Sequence, residues 1–374
     1  MHVAVLGCGQ LARMMALAGL PMGMTFSFLS ENNEDTAPVT GLGPITAMDD
    51  SLSSRELYDT LGKPDVVTVE REQCSLVPLT RLAEHCAVHP NPHAIYRCQN
   101  REREKQLLIA CEVPHTPFVR VASAADLHKA VVELGFPLVV KHTEQGYDGK
   151  AQWRLYNDED VESFVAKANF ELQSDQAAPY VAEPFMDFER EVSFIGVRSA
   201  SGEVRFYPAT ENVHKSGVLL HSVAPAPQLS SELIAAGQAG LKAILEHLDY
   251  VGVMAMECFV TPDQLWVNEL APRVHNSGHW TMHCGVASQF ENHMRAIAGW
   301  PLGSTHLQGA AAMLNLLGVE LDQTRQLEDN VALDWYNKSV RPGRKLGHLV
   351  LTDDSAASAL ARLQPLKQKV YGTD

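Results

Sequence analysis

Apolar positions in the first ninety residues come in short runs separated by glycine or by helical spacing. Residues 2–6 form an apolar run that enters Gly7-Cys8-Gly9-Gln10-Leu11-Ala12. A helical pattern follows to about residue 20, and further β-rich runs occupy residues 25–29 and 65–69. Leu76, Leu79 and Leu82 share one face of a helix predicted over residues 76–85. Strands alternating with helices predict a parallel sheet with helical crossovers, a Rossmann-like unit over residues 1–93.

The pattern changes after residue 94. Arg97, Arg101, Glu102, Arg103, Glu104 and Lys105 predict a helix laced with solvent-facing charge, interrupted at Val113-Pro114-His115-Thr116-Pro117. An amphipathic helix is expected over residues 124–135, a strand over 136–141 and a polar helix over 158–168. Strands then dominate, at 180–185, 190–197, 204–207, 251–260 and 264–269, with a long helix Ser231–His247 before the last two. This places a mixed α+β domain at residues 94–300. Residues 301–374 follow as a small C-terminal domain of a few strands and a helix over 355–363.

Chain-wide quantities narrow the function classes. A length of 374 residues suits two or three packed domains. Apolar runs such as 251–256 and 310–317 are too short to span a bilayer. Residues 1–20 lack a basic lead-in and are broken by Gly7, Gly9, Gln10 and Arg13, so they read as strand, turn and helix rather than a signal peptide. Seven scattered cysteines without a CxxC pair argue against a disulfide framework or a zinc site, and for a reducing, cytoplasmic compartment. A formal charge of −15 disfavours nucleic acid and anionic membranes as partners. Against it stand four cations, Lys338, Arg341, Arg344 and Lys345, with no acid between them, a pattern that suits a small anionic ligand.

Four segments carry candidate chemistry. Gly7-x-Gly9-x-x-Ala12 after a strand is a weak dinucleotide turn, with Glu31 at a distance suited to a ribose. An NAD-dependent oxidoreductase is therefore one reading; a phosphate of a nucleotide-like substrate at the same helix N-terminus is another. Lys141, ending a buried strand, leads into Gly146-Tyr147-Asp148-Gly149-Lys150, a phosphate-reaching lysine beside a glycine loop able to close. Glu257, inside the apolar run 251–260, pairs with residues 264–269 across Thr261-Pro262-Asp263. A turn centred on Pro262 and Asp263 sets Glu257 opposite Asn268, and a one-residue bulge sets it opposite Glu269. Two carboxylates and an amide on one patch of sheet suit an oxygen-ligated cation such as Mg²⁺. Lastly, Arg273, His275, Asn276, Ser277 and His279 crowd one loop directly after this hairpin.

These motifs resemble the N5-carboxyaminoimidazole ribonucleotide synthase family. The resemblance rests on Gly9-Gln10-Leu11, on Lys141 with Gly146-Tyr147-Asp148-Gly149, on Glu257 with the run Asn268 to His279, and on Val340-Arg341-Pro342-Gly343-Arg344-Lys345. It implies an ATP-grasp fold, α/β and α+β, with an N-terminal Rossmann-like (pre-ATP-grasp) domain and a small C-terminal domain. It also implies a ligase that carboxylates aminoimidazole ribonucleotide with ATP and bicarbonate through carboxyphosphate, as a homodimer; another ATP-grasp carboxylase is the nearest alternative. Arg101 and Lys141 would contact ATP phosphates, residues 146–152 including Gln152 would form the lid, and Glu183, Glu191 and His214 would surround the nucleoside. Glu257, Glu269 and Asn268 would hold Mg²⁺, the last two also touching ATP. Lys338, Arg341, Arg344 and Lys345, closed by Gln10 and Leu11, would take the ribose phosphate. Arg273 would hold carboxyphosphate, with His275, Asp148 and Tyr147 as the other catalytic candidates. The chain departs from the family pattern at Ala12, Gln145 and Ala151, each standing for a usual glycine.

Overall fold

A computed structural model of the chain describes all residues except 32–33, 145–150, 173–174, 176, 325–329 and 373–374. Among the described residues the named strands form three sheets. The first is parallel, in the order Ile45–Ala47, Thr25–Ser30, His2–Leu6, Val66–Val69, Ala87–Val88. Its central run Val3, Ala4, Val5 and Leu6 is buried on both faces, as parallel strands under crossover helices require. Helix Gln10–Gly19 covers one face and Leu76–Leu82 the other.

The second sheet orders Val119–Val121, Tyr180–Pro184, Leu138–His142 and Gln152–Leu155, all antiparallel. Helices Ala124–Leu134 and Asp158–Val165 pack Leu127, Ala130, Val161 and Phe164 onto it. The third sheet has nine strands. Leu265–Ala271, Gly252–Val260, Arg190–Arg198, Thr210–Lys215 and Val218–Ala224 lead into Ala310–Leu317, Lys345–Asp353 and Val331–Trp335, and Val204–Phe206 joins the third of these strands. Strands from beyond residue 301 thus continue the sheet that begins at residue 190. Helix Ser231–His247 packs Leu241, Ile244 and Leu245 on one face, against Phe194, Met254 and Met256.

The opposite face meets the N-terminal unit. Met14 and Met15 share one apolar cluster with Ile195, Val253, Ala255, Phe290 and Met294. A buried imidazole pins the joint: His293 Nε2 lies 2.8 Å from Thr68 Oγ1, and its Nδ1 accepts the Val253 N–H at 3.1 Å.

Five features differ from the sequence reading. The charge-rich segment is two helices, Pro92–Cys98 and Arg101–Ala110, separated where Asn100 caps the second through Glu102 and Arg103 N–H. Its charges are interior: Glu102, Arg103, Glu104 and Lys105 are all buried. Each is compensated, Glu102 by Arg120 and the Ala178 N–H, Arg103 by Asp175 and Glu144, Glu104 by the Leu270 N–H, and Lys105 by Glu183. A hairpin, Thr210–Lys215 with Val218–Ala224, and the helix Gln289–Ile297 were not anticipated. The final helix runs Ala356–Tyr371, past Pro365. All seven cysteines are free. Among the described residues no helix is long and apolar enough to cross a membrane.

Candidate active site

A cleft of about 1120 Å³ opens where the three sheets converge. Its wall draws on the glycine turn, the acids after Val69, both antiparallel sheets and the loop 338–345. A volume above the usual 300–1,000 Å³ range leaves room for more than one small ligand.

Lys141 enters from the strand Leu138–His142. Its Nζ lies 2.7 Å from Glu183 Oε2 on the neighbouring strand and 3.3 Å from Asn268 Oδ1. Burial pushes the Glu183 carboxyl up, but Lys105 and then Lys141 more than reverse this and hold it at about 2. Arg101 NH1 reaches Glu269 Oε2 at 3.3 Å. Gln152 begins the next strand opposite Lys141 and lines the cleft, exposed. Ala151, just before it, has φ +51, a left-handed conformation that a glycine adopts without strain. Gly146, Tyr147, Asp148 and Gly149 of the expected lid lie outside the described residues.

The hairpin has the bulge. Register shifts between Glu257 and Cys258, so Glu257 faces Glu269 and Asn268 is the extra residue. Ser193 is the partner of Glu257 on the other side, which puts Glu191, two residues along, on the same face. Glu191 Oε2 is 3.0 Å from His214 Nδ1, and Glu191, His214 and Glu257 bring possible ligand atoms within 4.8 Å of one another. Burial pulls His214 down, but the Glu191 contact outweighs it and the imidazole ends above its ordinary value. Glu257 is pushed up to about 7, first by burial and then by Glu269. Carboxylates crowded until one resists ionisation suit a divalent cation, and their oxygens with the Asn268 amide fit Mg²⁺.

His275 sits behind this patch with Nε2 3.2 Å from Glu257 Oε1. Its Nδ1 caps the following 3₁₀ turn by accepting Ser277 N–H. Burial, with Arg273 and Lys345 nearby, holds it well below the ordinary histidine range, so the ring is neutral with its proton on Nε2. Arg273 forms a two-point pair with Glu72: Nε meets Oε2, and NH2 meets Oε1 at 3.0 Å.

On the far side, Lys338 Nζ meets Gln10 Oε1, and Leu11 is buried in the same wall. Burial brings Lys338 down to about 8, with Glu70 opposing. Arg344 NH2 holds Asp35 at 2.8 Å, while Arg341 and Lys345 also line the cleft. The glycine turn does not present its amides to a ligand. Gly9 N–H donates to Glu70 Oε2 at 3.1 Å and Cys8 N–H to Glu34 Oε1 at 2.9 Å. A Cβ on Gly7 or Gly9 would lie 2.7 or 2.1 Å from a Glu70 carboxylate oxygen, so the glycines admit this acid. Glu31 pairs with Arg71 at 2.5 Å. An oxidoreductase built on this turn would need the amides that two carboxylates occupy.

Sequence reasoning passed over several lining residues. Glu70 and Glu72 fall between the strand read at 65–69 and the helix read from residue 76. Pro184, Phe185 and Met186 follow Glu183 directly and form an apolar wall with Phe188, which stacks on Phe259 at 4.4 Å. The run Glu183-Pro184-Phe185-Met186 at a strand end was the available signal.

Three family models match in chain order: a ribonucleotide synthetase preATP-grasp domain over residues 1–99, an ATP-grasp domain over 106–290, and a phosphoribosylaminoimidazole carboxylase C-terminal domain over 311–362. The chain is 40% identical over 366 residues to N5-carboxyaminoimidazole ribonucleotide synthase of Vibrio cholerae, covering 97% of this chain and 94% of that one. It is similar to the crystal structure of the synthetase from Thermus thermophilus, with a TM-score of 0.88, 36% identity and coverage of 99% and 98%. It is also similar to the synthase of Aspergillus clavatus in complex with ADP and the aminoimidazole ribonucleotide, with a TM-score of 0.84, 26% identity and the same coverage. The chain belongs to the N5-carboxyaminoimidazole ribonucleotide synthase family of ATP-grasp ligases.

Proposed function

We propose that the cleft carboxylates 5-aminoimidazole ribonucleotide at its exocyclic amine, using ATP and bicarbonate and releasing ADP and phosphate. The observation that carries this reading is one continuous cavity lined by two sets of phosphate-type cations, Arg101 with Lys141 and the cations of residues 338–345, together with the carboxylates Glu257 and Glu269. Lys141 and Arg101 take the ATP phosphates, and the wall Pro184–Phe185–Met186 takes the purine, with Glu191 and His214 at the ribose. Lys338, Arg341, Arg344 and Lys345 take the ribonucleotide phosphate, closed by Gln10 and Leu11.

Bicarbonate is a poor electrophile, so one of its oxygens attacks the γ-phosphorus and ADP leaves, giving carboxyphosphate. Lys141 offsets charge gathering on the transferred phosphoryl oxygens. Glu257, Glu269 and Asn268 would hold Mg²⁺, which would supply charge neutralisation for phosphoryl transfer when bound. Arg273, fixed by Glu72, presents guanidinium N–H groups to carboxyphosphate. The amine then forms the C–N bond, phosphate leaves, and the amine proton passes to His275 or Asp148, with Tyr147 as the remaining catalytic candidate. For His275 to accept it, the Nδ1 lone pair now facing Ser277 or the Glu257 carboxylate must take part. A lid over residues 146–152 excludes water from the intermediate.

We further propose domains at 1–93, 94–300 and 301–374, a homodimer, and a cytoplasmic setting, the last supported by seven free cysteines. The test is phosphate release from MgATP and bicarbonate with and without the ribonucleotide. Release that requires the ribonucleotide, with labelled carbamate formed from bicarbonate, is the expected result. Release with another amine or acid instead would keep the ATP chemistry and overturn the substrate.

A further inference from the structure

Two lysines share the single carboxylate of Glu183. Lys141 holds Oε2 at 2.7 Å and lines the cleft; Lys105 lies 3.3 Å from Oε1 and does not line it. Lys105 is 1% exposed, on the interior face of helix Arg101–Ala110, and hydrogen-bonds Thr116 Oγ1. Among the described residues Glu183 Oε1 accepts no hydrogen bond, so the ionic contact with Lys105 is what compensates that oxygen.

For the fold alone this arrangement is costly. A buried ammonium is harder to accommodate than an apolar side chain of the same length. The neighbouring Glu104 is engaged elsewhere: its Oε2 accepts the Leu270 N–H at 2.8 Å, and burial pushes its carboxyl up. Lys105, Lys141 and Glu183 therefore form a group with two amines and one ionised carboxylate, and the amine beside solvent is the one in the cleft.

We propose that Lys105 is a positioning residue for Lys141, acting through Glu183. It offsets one carboxylate oxygen and fixes the carboxylate in place, so that the other oxygen aims Lys141 Nζ while the positive charge of Lys141 remains for a phosphate. When Lys141 turns to a nucleotide, Glu183 stays compensated. Without Lys105, the carboxylate would hold Lys141 to itself. The inference rests on Lys141 being the ATP phosphate ligand.

The experiment is a double-mutant cycle on the full chain, measuring affinity for a nonhydrolysable MgATP analogue, affinity for the ribonucleotide, and the melting temperature. Lys105→Met should weaken analogue binding about tenfold and leave ribonucleotide binding within about twofold; in a Glu183→Gln background the same change should cost less than about threefold. Equal loss in both backgrounds would overturn the coupling through Glu183. So would a lowered melting temperature with unchanged analogue affinity, which would mark Lys105 as a stability element alone. If Lys105→Met does not fold, the comparison of Glu183→Gln with the double variant, which buries neither charge, carries the test: a further loss beyond threefold overturns the proposal. Lys141→Met separates the underlying reading, because unchanged analogue binding in that variant would remove Lys141 from the phosphates whatever Lys105 does.

Discussion

Replacing Glu257 with Gln should stabilise the metal-free protein while removing its activity. Glu257 faces Glu269 across the bulge and touches His275 at 3.2 Å. Burial, then Glu269, raises its carboxyl from 4.5 to about 7. At about 1.4 kcal/mol per unit, that rise is roughly 3 kcal/mol of unfavourable free energy once the group is ionised. A carboxyl whose folded value exceeds its unfolded one makes stability fall as pH rises from 4.5 to 7, with the full cost present above 7. Glutamine does not titrate and keeps an oxygen for His275 Nε2–H. In chelator, the variant should therefore melt at nearly the parental temperature near pH 4.5 and several degrees above it at pH 8. Its ribonucleotide-dependent phosphate release should fall about a hundredfold or more, because one of the carboxylates proposed to hold Mg²⁺ is gone. A variant that melts no higher than the parent at pH 8, or by a margin unchanged between pH 5 and 8, would refute the crowding argument.

Lys345→Ala should raise the ribonucleotide KM about tenfold and leave the ATP KM within about twofold, since a lost phosphate contact of about 1.4 kcal/mol is tenfold; equal damage to both constants would contradict its placement. Ribonucleotide affinity should decline as pH rises through about 8, where burial has brought Lys338, and Lys338→Arg should flatten that decline. Identical pH profiles in the two proteins would remove Lys338 from the phosphate. Burial pushes His293 down to about 3 from 6.5, so stability is fully present above 6.5 and is lost as pH falls toward 3, by roughly 5 kcal/mol at the end. His293→Gln should melt with a shallower dependence on pH between 6.5 and 4, and an unchanged slope would show that the joint at Thr68 does not govern acid sensitivity.

What the sequence disclosed depended on whether chemistry followed local periodicity. The run Glu257 to His279 was legible because an acid in an apolar strand, a short turn and a polar cluster are all local signals. Even there, spacing left Asn268 and Glu269 as alternatives, and the bulge at Glu257/Cys258 decided it. The helix Arg101–Ala110 was misread because alternating charge ordinarily marks a solvated face. Its partners, Arg120, Asp175, Glu183 and Leu270, lie from 18 to 166 positions away. Gly7 and Gly9 signalled close approach of something to the backbone. Nothing near them announced that it would be Glu70, 61 positions beyond Gly9.

The same long-range pairing explains how an acidic chain keeps cations in its cleft. At rest each of several cations there has an acid of the protein's own: Lys141 has Glu183, Arg101 has Glu269, Arg273 has Glu72 and Arg344 has Asp35. A substrate phosphate thus exchanges partners with a carboxylate instead of meeting a bare charge, and affinity depends on what becomes of the acid left behind. Glu183 is buried, yet Lys105 keeps it compensated. Glu269 faces Glu257 across the bulge, where crowded carboxylates suit a divalent cation. Asp35 is partly exposed, and water can take over from Arg344. Glu72 is nearly buried and is held in its ion pair with Arg273. Arg273 is therefore the cation least free to exchange, and a ligand there would meet it still anchored, through the guanidinium N–H groups that Glu72 does not take.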